Sequence, residues 1–274
     1  MKSENSACGY CDTEEKKTAE VAVVNLASGS KGNATIIATP DTSILVDAGL
    51  SGKEIEKRMV DKGLSPKKLS AIIVSHEHSD HVKGVGILAR RFNIPVYISP
   101  ITEKAAGNQL GKIKDIRHFE CGLSFAVESM IIHPFSTSHD AADPAGFTIS
   151  NGITKVGIAT DLGIATNLVR ERLKNCDILI LEANHDPEML INGPYPWPLK
   201  QRIKGRMGHL SNEASKELLS ELANEKLKHV ILAHLSEENN KPDIAIRVIG
   251  EARVHPGTKI SIACQYEGSP VIKL

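Results

Sequence analysis

From residue 21 onward, short apolar runs alternate with clusters of Gly, Ser, Asn and Pro, and the run lengths favour strands. Residues 21–26, 34–38 and 44–46 read as three consecutive strands joined by Gly/Ser/Asn and Pro-Asp turns. Ser51 followed by Glu54 predicts a capping box, and Gly63 is placed to close the helix between them. A buried-type strand at 69–74, a helix at 82–92 and a short strand at 96–98 come next. The second half continues in the same style, with strands at 155–159, 178–181 and 229–233 and a helix at 211–224 started by Ser211. Strands early in each half with helices after them predict an α/β fold of two facing sheets with helices outside, an αββα sandwich.

Composition changes this picture little. The 274 residues are 41% hydrophobic and 24% charged, as in an ordinary globular chain. The apolar runs are of strand length, well short of the ~20 residues that span a bilayer, and residues 1–20 form a polar, charge-rich tail without a signal-peptide core. The expectation is therefore a tail (1–20) and one hydrolase domain (21–274), cytoplasmic, without membrane association and compatible with a homodimer. Thirty-three basic residues balance 33 acidic ones, which argues against a protein that coats nucleic acid through bulk charge but leaves room for a local basic groove. Five cysteines, an odd number, do not suggest a disulfide framework. Cys8 and Cys11 make a C-x-x-C, half of a structural zinc site at most.

The chemistry is concentrated in His76-x-His78-x-Asp80-His81, on the turn after a buried strand. Imidazoles and carboxylates suit borderline divalent metals, and four such side chains in six positions exceed what one tetrahedral ion needs, so two ions are implied. Further ligands are expected where other apolar runs stop, at His139, Asp161 and His234. Asp80 is counted as a catalytic carboxylate as well as a ligand.

The segments Leu26-Ala-Ser-Gly-Ser-Lys-Gly-Asn33, Val46-Asp-Ala-Gly-Leu-Ser51, Ser75-His-Glu-His-Ser-Asp-His-Val-Lys-Gly84, Phe135-Ser-Thr-Ser-His-Asp140, Ala159-Thr-Asp-Leu-Gly163, Gly208-His-Leu-Ser-Asn212 and Ala233-His-Leu-Ser-Glu-Glu-Asn-Asn240 resemble the bacterial YycJ/WalJ family of the metallo-β-lactamase-fold superfamily. The resemblance implies a 5′–3′ DNA exonuclease linked to mismatch repair. It implies that His76, His78 and His139 hold one metal, that Asp80, His81 and His234 hold the other, and that Asp161 bridges them. His209, in a Gly-His-Leu context similar to that of related phosphodiesterases, is the candidate general acid, with Glu182 supporting it. Candidate DNA contacts are Ser30, Lys31 and Asn33, in a glycine-rich turn whose N–H groups could cradle a phosphate, together with Trp197, Lys200 and Arg202 in an aromatic and basic stretch. His185 reads as a substrate-side residue or a helix cap.

The residues leave three classes open. One is a nuclease, the second a small-molecule phosphodiesterase or thioesterase on the same scaffold, and the third a non-catalytic metal or redox sensor using the C-x-x-C. Zinc and manganese lead the metals, with iron and nickel compatible with the same N/O ligands.

Overall fold

A computed structural model describes residues 20–274, so Cys8, Cys11 and the tail lie outside the described residues. The strands are β1 (Ala22–Ala27), β2 (Ala34–Ala38), β3 (Ser43–Val46), β4 (Ala71–Ile73), β5 (Val96–Ile98), β6 (Ile116–His118), β7 (Phe125–Val127), β8 (Met130–Ser136), β9 (Ala145–Ser150), β10 (Lys155–Ala159), β11 (Ile178–Glu182), β12 (His229–Ala233), β13 (Lys259–Ile262) and β14 (Ile272–Lys273). The helices are α1 (Gly52–Asp61), α2 (Ser79–Val82), α3 (Val85–Phe92), α4 (Pro100–Ala106), α5 (Asn167–Leu173), α6 (Pro187–Asn192), α7 (Trp197–Lys204), α8 (Asn212–Leu222) and α9 (Pro242–Ile249). None of them is long and apolar enough to cross a membrane.

Two seven-stranded sheets form, in the orders β14-β1-β2-β3-β4-β5-β6 and β13-β12-β11-β10-β9-β8-β7. In the first, β1, β2 and β3 pair antiparallel and β3 to β6 parallel. The second repeats the scheme, antiparallel from β7 to β10 and parallel from β10 to β13. Parallel neighbours place their C-terminal ends on the same edge, and this is where the site is built.

The period-two alternation of a strand explains the layering. Val23, Ile37, Ile44 and Ile73 point between the sheets and meet Ile132, Phe147, Ile158, Ile180 and Ile231 from the other side. Their neighbours Val24, Ile36, Leu45 and Ile72 point outward and are covered by Ile55 and Met59 of α1 and Leu88 of α3. Leu179, Leu181, Val230 and Leu232 are covered likewise by α5, α8 and α9. Three apolar layers therefore enclose two sheets, the αββα sandwich expected from the run lengths.

The capping box forms by half. Ser51 Oγ accepts from Glu54 N (3.2 Å), but the Glu54 carboxylate turns to Arg58 Nε (2.8 Å), one turn on. Gly63, at φ 75°, follows the helix end as expected.

Candidate metal centre

Six chain segments converge at one edge of the sandwich. β3, β4, β8, β10, β11 and β12 all end there, delivering Asp47, the 75–81 turn, His139, Asp161, Glu182 and His234. Asp47, Asp161 and His234 each follow their strand at positive φ (60°, 55° and 57°), a left-handed conformation that turns the chain sharply and costs non-glycine residues roughly 1 kcal/mol or more. The sheets are stitched together at this edge: Ala145 N bonds Ser75 O (3.1 Å) and His234 N bonds Ser28 Oγ (2.7 Å). The 76–81 segment is part turn and part helix, since α2 begins at Ser79 and carries Asp80 and His81 side by side in its first turn. Gly49 makes this possible: a Cβ there would lie 1.6 Å from Asp80 O.

The seven residues expected as ligands come together. His78 Nδ1 lies 3.1 Å from His76 Nε2 and 3.4 Å from His139 Nε2, a first triad. Asp80 Oδ2 lies 3.7 Å from His81 Nε2 and 3.9 Å from His234 Nε2, a second. Asp161 stands between, with Oδ1 3.8 Å from His139 Nε2 and Oδ2 3.4 Å from His81 Nε2. Within each of the sets His76/His78/His139 and Asp80/His81/His234 the donor atoms lie within 4.8 Å of one another.

The other imidazole nitrogens are fixed by neighbours. Nδ1 of His81 meets Asp47 Oδ2 (2.8 Å), Nδ1 of His234 meets Glu182 Oε1 (3.1 Å), and Nδ1 of His139 meets the Gly208 carbonyl (3.2 Å). Ser75 Oγ reaches His76 Nδ1 (3.0 Å) and Asp47 Oδ2 (2.8 Å), so Asp47 orients one histidine directly and another through the serine. Each of these four rings thus has its Nε2 turned to the centre, the arrangement that prepares a histidine to bind a metal.

Burial would lower the pKa of His81, yet Asp161 and Asp47 carry it up to about 9. Burial opposes protonation of His234 too, but Asp161, Asp80 and Glu182 hold it well above its ordinary value. His76 lies on the other side of the balance, held low by burial and by the imidazoles of His81 and His139. Asp161 Oδ2 and His234 Nε2 are buried at the centre without a hydrogen-bond partner, a costly state that a cation would relieve. This all-N/O donor set and these two orphaned atoms fit divalent metal ions.

Glu182, fully buried, accepts from His209 Nδ1 (2.7 Å) and His234 Nδ1 through Oε1, and from the amides of Leu162 (2.7 Å) and Leu210 (3.3 Å) through Oε2. Burial alone would raise its pKa, but His209 and His234 hold it below the usual carboxylate range. With its Nδ1 so engaged, His209 offers Nε2 to a cavity of about 180 Å³ that Ser30 and Arg202 also line. Arg202 Nε pairs there with Asp140 Oδ2 (2.5 Å).

The remaining candidate contacts fall elsewhere. Lys200 is buried, and its Nζ donates to the carbonyls of Ile191 and Gly193 (both 2.7 Å), so its charge ties α6 to α7 and is not presented to a ligand. Trp197 stands exposed with Lys204 Nζ 5.5 Å from its ring centroid, and does not line the cavity. The glycine-rich turn departs from the phosphate-cradle expectation, because the amides of Gly29, Lys31, Gly32 and Asn33 already bond to Asn33 Oδ1, Gln265 Oε1, Gly29 O and Asp80 O. Asn33 Nδ2 sits 3.0 Å from His81 Nε2, beside the candidate ligands and not in the phosphate cradle. His185 is buried, with Nδ1 unpartnered. Asp47 has no expected role in the site, although it follows an apolar run just as Asp161 does. Asp140, Asn184 and Ser236 on the cavity wall carry no separate signal in the sequence, whereas Tyr195, also on that wall, opens the aromatic and basic stretch expected to face a substrate.

Residues 42–235 match the family model described as a beta-lactamase superfamily domain. The Exodeoxyribonuclease YycJ of Bacillus anthracis is 38% identical over 222 residues, 80% of this chain and 84% of that protein. The Exodeoxyribonuclease WalJ of Streptococcus pneumoniae is 36% identical over 253 residues, 89% of this chain and 93% of that one. The solved metallo-beta-lactamase fold protein YhfI of Bacillus subtilis superposes with a TM-score of 0.72 over 93% of this chain and 100% of that one, at 18% identity, and shows the fold alone.

Proposed function

The chain belongs to the YycJ/WalJ exodeoxyribonuclease family of the beta-lactamase superfamily, and from this premise we propose that it is a two-metal nuclease that shortens DNA from the 5′ end, in the service of mismatch repair. The observation that carries the two-metal reading is the position of Asp161 between the triads, with Oδ1 3.8 Å from His139 Nε2 and 3.6 Å from His234 Nε2, and Oδ2 3.4 Å from His81 Nε2. His76, His78 and His139 would hold one ion and Asp80, His81 and His234 the other, with Asp161 shared. Zinc and manganese are the ions of choice for this set.

Divalent ions bound there supply positive charge that activates water and offsets the charge building on the phosphate oxygens. The protein's own groups do the rest. Arg202 and Ser30 border the cavity where a phosphodiester must lie, the arginine offering a planar donor fork suited to phosphate once Asp140 releases it. His209 gives a proton from Nε2 to the departing oxygen, and Glu182 fixes that ring by its Nδ1. Because Glu182 grips His234 as well, the proton donor and a metal ligand keep a fixed spacing. Tyr195, Leu199 and Ile203 line another side of the same cavity.

The test uses chelator-stripped protein reconstituted with manganese or zinc and given 5′-labelled single- and double-stranded DNA. Progressive shortening from the 5′ end, with about two metals per chain in the wild type and about one in His139→Ala and in His234→Ala, is the expected result. Turnover of a small phosphodiester without DNA cleavage under either metal would move the protein to the small-molecule class.

A further inference from the structure

A second cavity, of about 280 Å³, lies behind Ser236 and has Leu235, Pro242, Ile262, Cys264 and the ring of Tyr266 in its walls. Ser236 also lines the catalytic cavity, so the two spaces share a wall. Ser28, at the edge of the second cavity, receives the backbone N–H of the metal-centre residue His234. Tyr266 is 62% exposed, unusual for a large ring, and is nonetheless held in place. Its hydroxyl lies 2.5 Å from Lys31 Nζ, and that ammonium also pairs with Glu237 (2.6 Å). The preceding residue, Gln265, bonds both Lys31 N (2.8 Å) and Gly32 O (2.9 Å), locking the 264–266 segment onto the glycine-rich turn.

We propose that this second cavity is a nucleobase subsite, in which the Tyr266 ring stacks on the base of a nucleotide adjacent to the phosphodiester being cut. The inference rests on the nuclease reading and deepens it. A flat heteroaromatic base needs an aromatic face and apolar walls, which Tyr266 with Ile262 and Leu235 supply in one place, while Lys31, paired with Glu237 of the same wall, would exchange that carboxylate for the sugar-phosphate. The fixed ring would lose little side-chain freedom on binding. The shared wall with the catalytic cavity selects a neighbouring nucleotide of the same strand as occupant, in preference to a separate apolar ligand.

The experiment compares wild type, Tyr266→Ala and Tyr266→Phe on a single-stranded oligonucleotide and on two copies carrying an abasic residue at the terminal or the penultimate position. Tyr266→Ala should raise KM on the intact strand roughly 10-fold or more with kcat little changed. That penalty should shrink to less than about twofold on one of the abasic strands, where no base is left to stack. Tyr266→Phe, which keeps the ring and loses only the Lys31 bond, should stay within about twofold of wild type. An equal Tyr266→Ala penalty on all three strands, or a Phe variant as impaired as the Ala variant, would overturn the subsite while leaving the nuclease reading intact. Wild-type protein that turns over bis(p-nitrophenyl) phosphate and cleaves none of the strands would overturn both.

Discussion

Asp47→Asn tests whether the metal centre depends on the hydrogen bonds behind its ligands. Asparagine has nearly the same shape and tolerates the left-handed backbone at this position, so the turn after β3 should survive. The electrostatics change. Asp47 Oδ1 accepts from Ser75 N (2.8 Å), and an amide oxygen can continue to do so. The NH₂ group then replaces Oδ2, where the aspartate receives the Ser75 hydroxyl (2.8 Å) and faces His81 Nδ1 (2.8 Å). Two donors cannot face each other. His81 must either lose this partner or move its proton to Nε2, the nitrogen that points at Asp161 and Asp80. The serine that reaches His76 loses its acceptor as well, so both triads are affected. Loss of such a supporting bond costs about 10- to 100-fold in metal affinity, or about 1.4–2.7 kcal/mol. Competition against a chromophoric chelator measures the affinity directly, and a thermal melt of the metal-free variant checks that the fold is retained. A metal affinity within threefold of wild type would refute the claim that Asp47 sets the His81 tautomer.

His209→Ala should lower kcat on DNA by about 10²- to 10⁴-fold with a small change in KM. On a thymidine p-nitrophenyl phosphate diester, whose leaving oxygen departs without a proton, the loss should be much smaller; equal losses on the two substrates would refute the proton-donor role. Burial holds His185 down at about 4, whereas in the unfolded chain it titrates near 6.5. The unfolded state therefore takes up the proton first, and stability falls as the pH drops through 6.5 and levels off below 4, with about 2 kcal/mol lost between pH 7 and pH 5. Urea melts of wild type and His185→Phe at the two pH values should differ by that amount, and identical pH dependence in the two proteins would count against it.

What the sequence revealed of the site depended on how local each signal was. His76, His78, Asp80 and His81 stand within six positions, and local spacing alone makes them a cluster. Asp161 and His234 were readable because an apolar strand stops at each. Asp47 gives the same signal after Ile44-Leu-Val46, but a lone aspartate before Ala-Gly reads as a turn residue, and only its contacts with Ser75 and His81 separate the two roles. The fold shows the same division. Strands at 34–38, 155–159 and 229–233 have the expected bounds, since each is a dense apolar run. Of β8 only the end before His139 is legible, and β9 is not, because Pro134 and Gly146 argue against central strands. Their reason is tertiary: a Cβ at Gly146 would lie 2.6 Å from the Phe135 ring, so the neighbouring strand requires the glycine.

Lys200 and the glycine-rich turn make the complementary point about polar groups. A lysine in a basic stretch and a Ser-Gly-Ser-Lys-Gly turn both look ready for phosphate, because sequence shows which donors exist and not which are spent. Lys200 spends its ammonium on two carbonyls, and of four amides of the turn two close it on itself while those of Lys31 and Asn33 fasten it to Gln265 and to α2. A buried donor left unmade costs about 1–3 kcal/mol, so the fold fills such positions internally wherever it can. Groups that remain unfilled at the centre are therefore informative. Asp161 Oδ2 and His234 Nε2 lie where the 75–81 turn and the β10 and β12 ends meet, and among the described residues neither has a hydrogen-bond partner. What sets these two atoms apart from an isolated unpaired group such as His185 Nδ1 is their surroundings, imidazoles and carboxylates that are the donors a divalent cation takes.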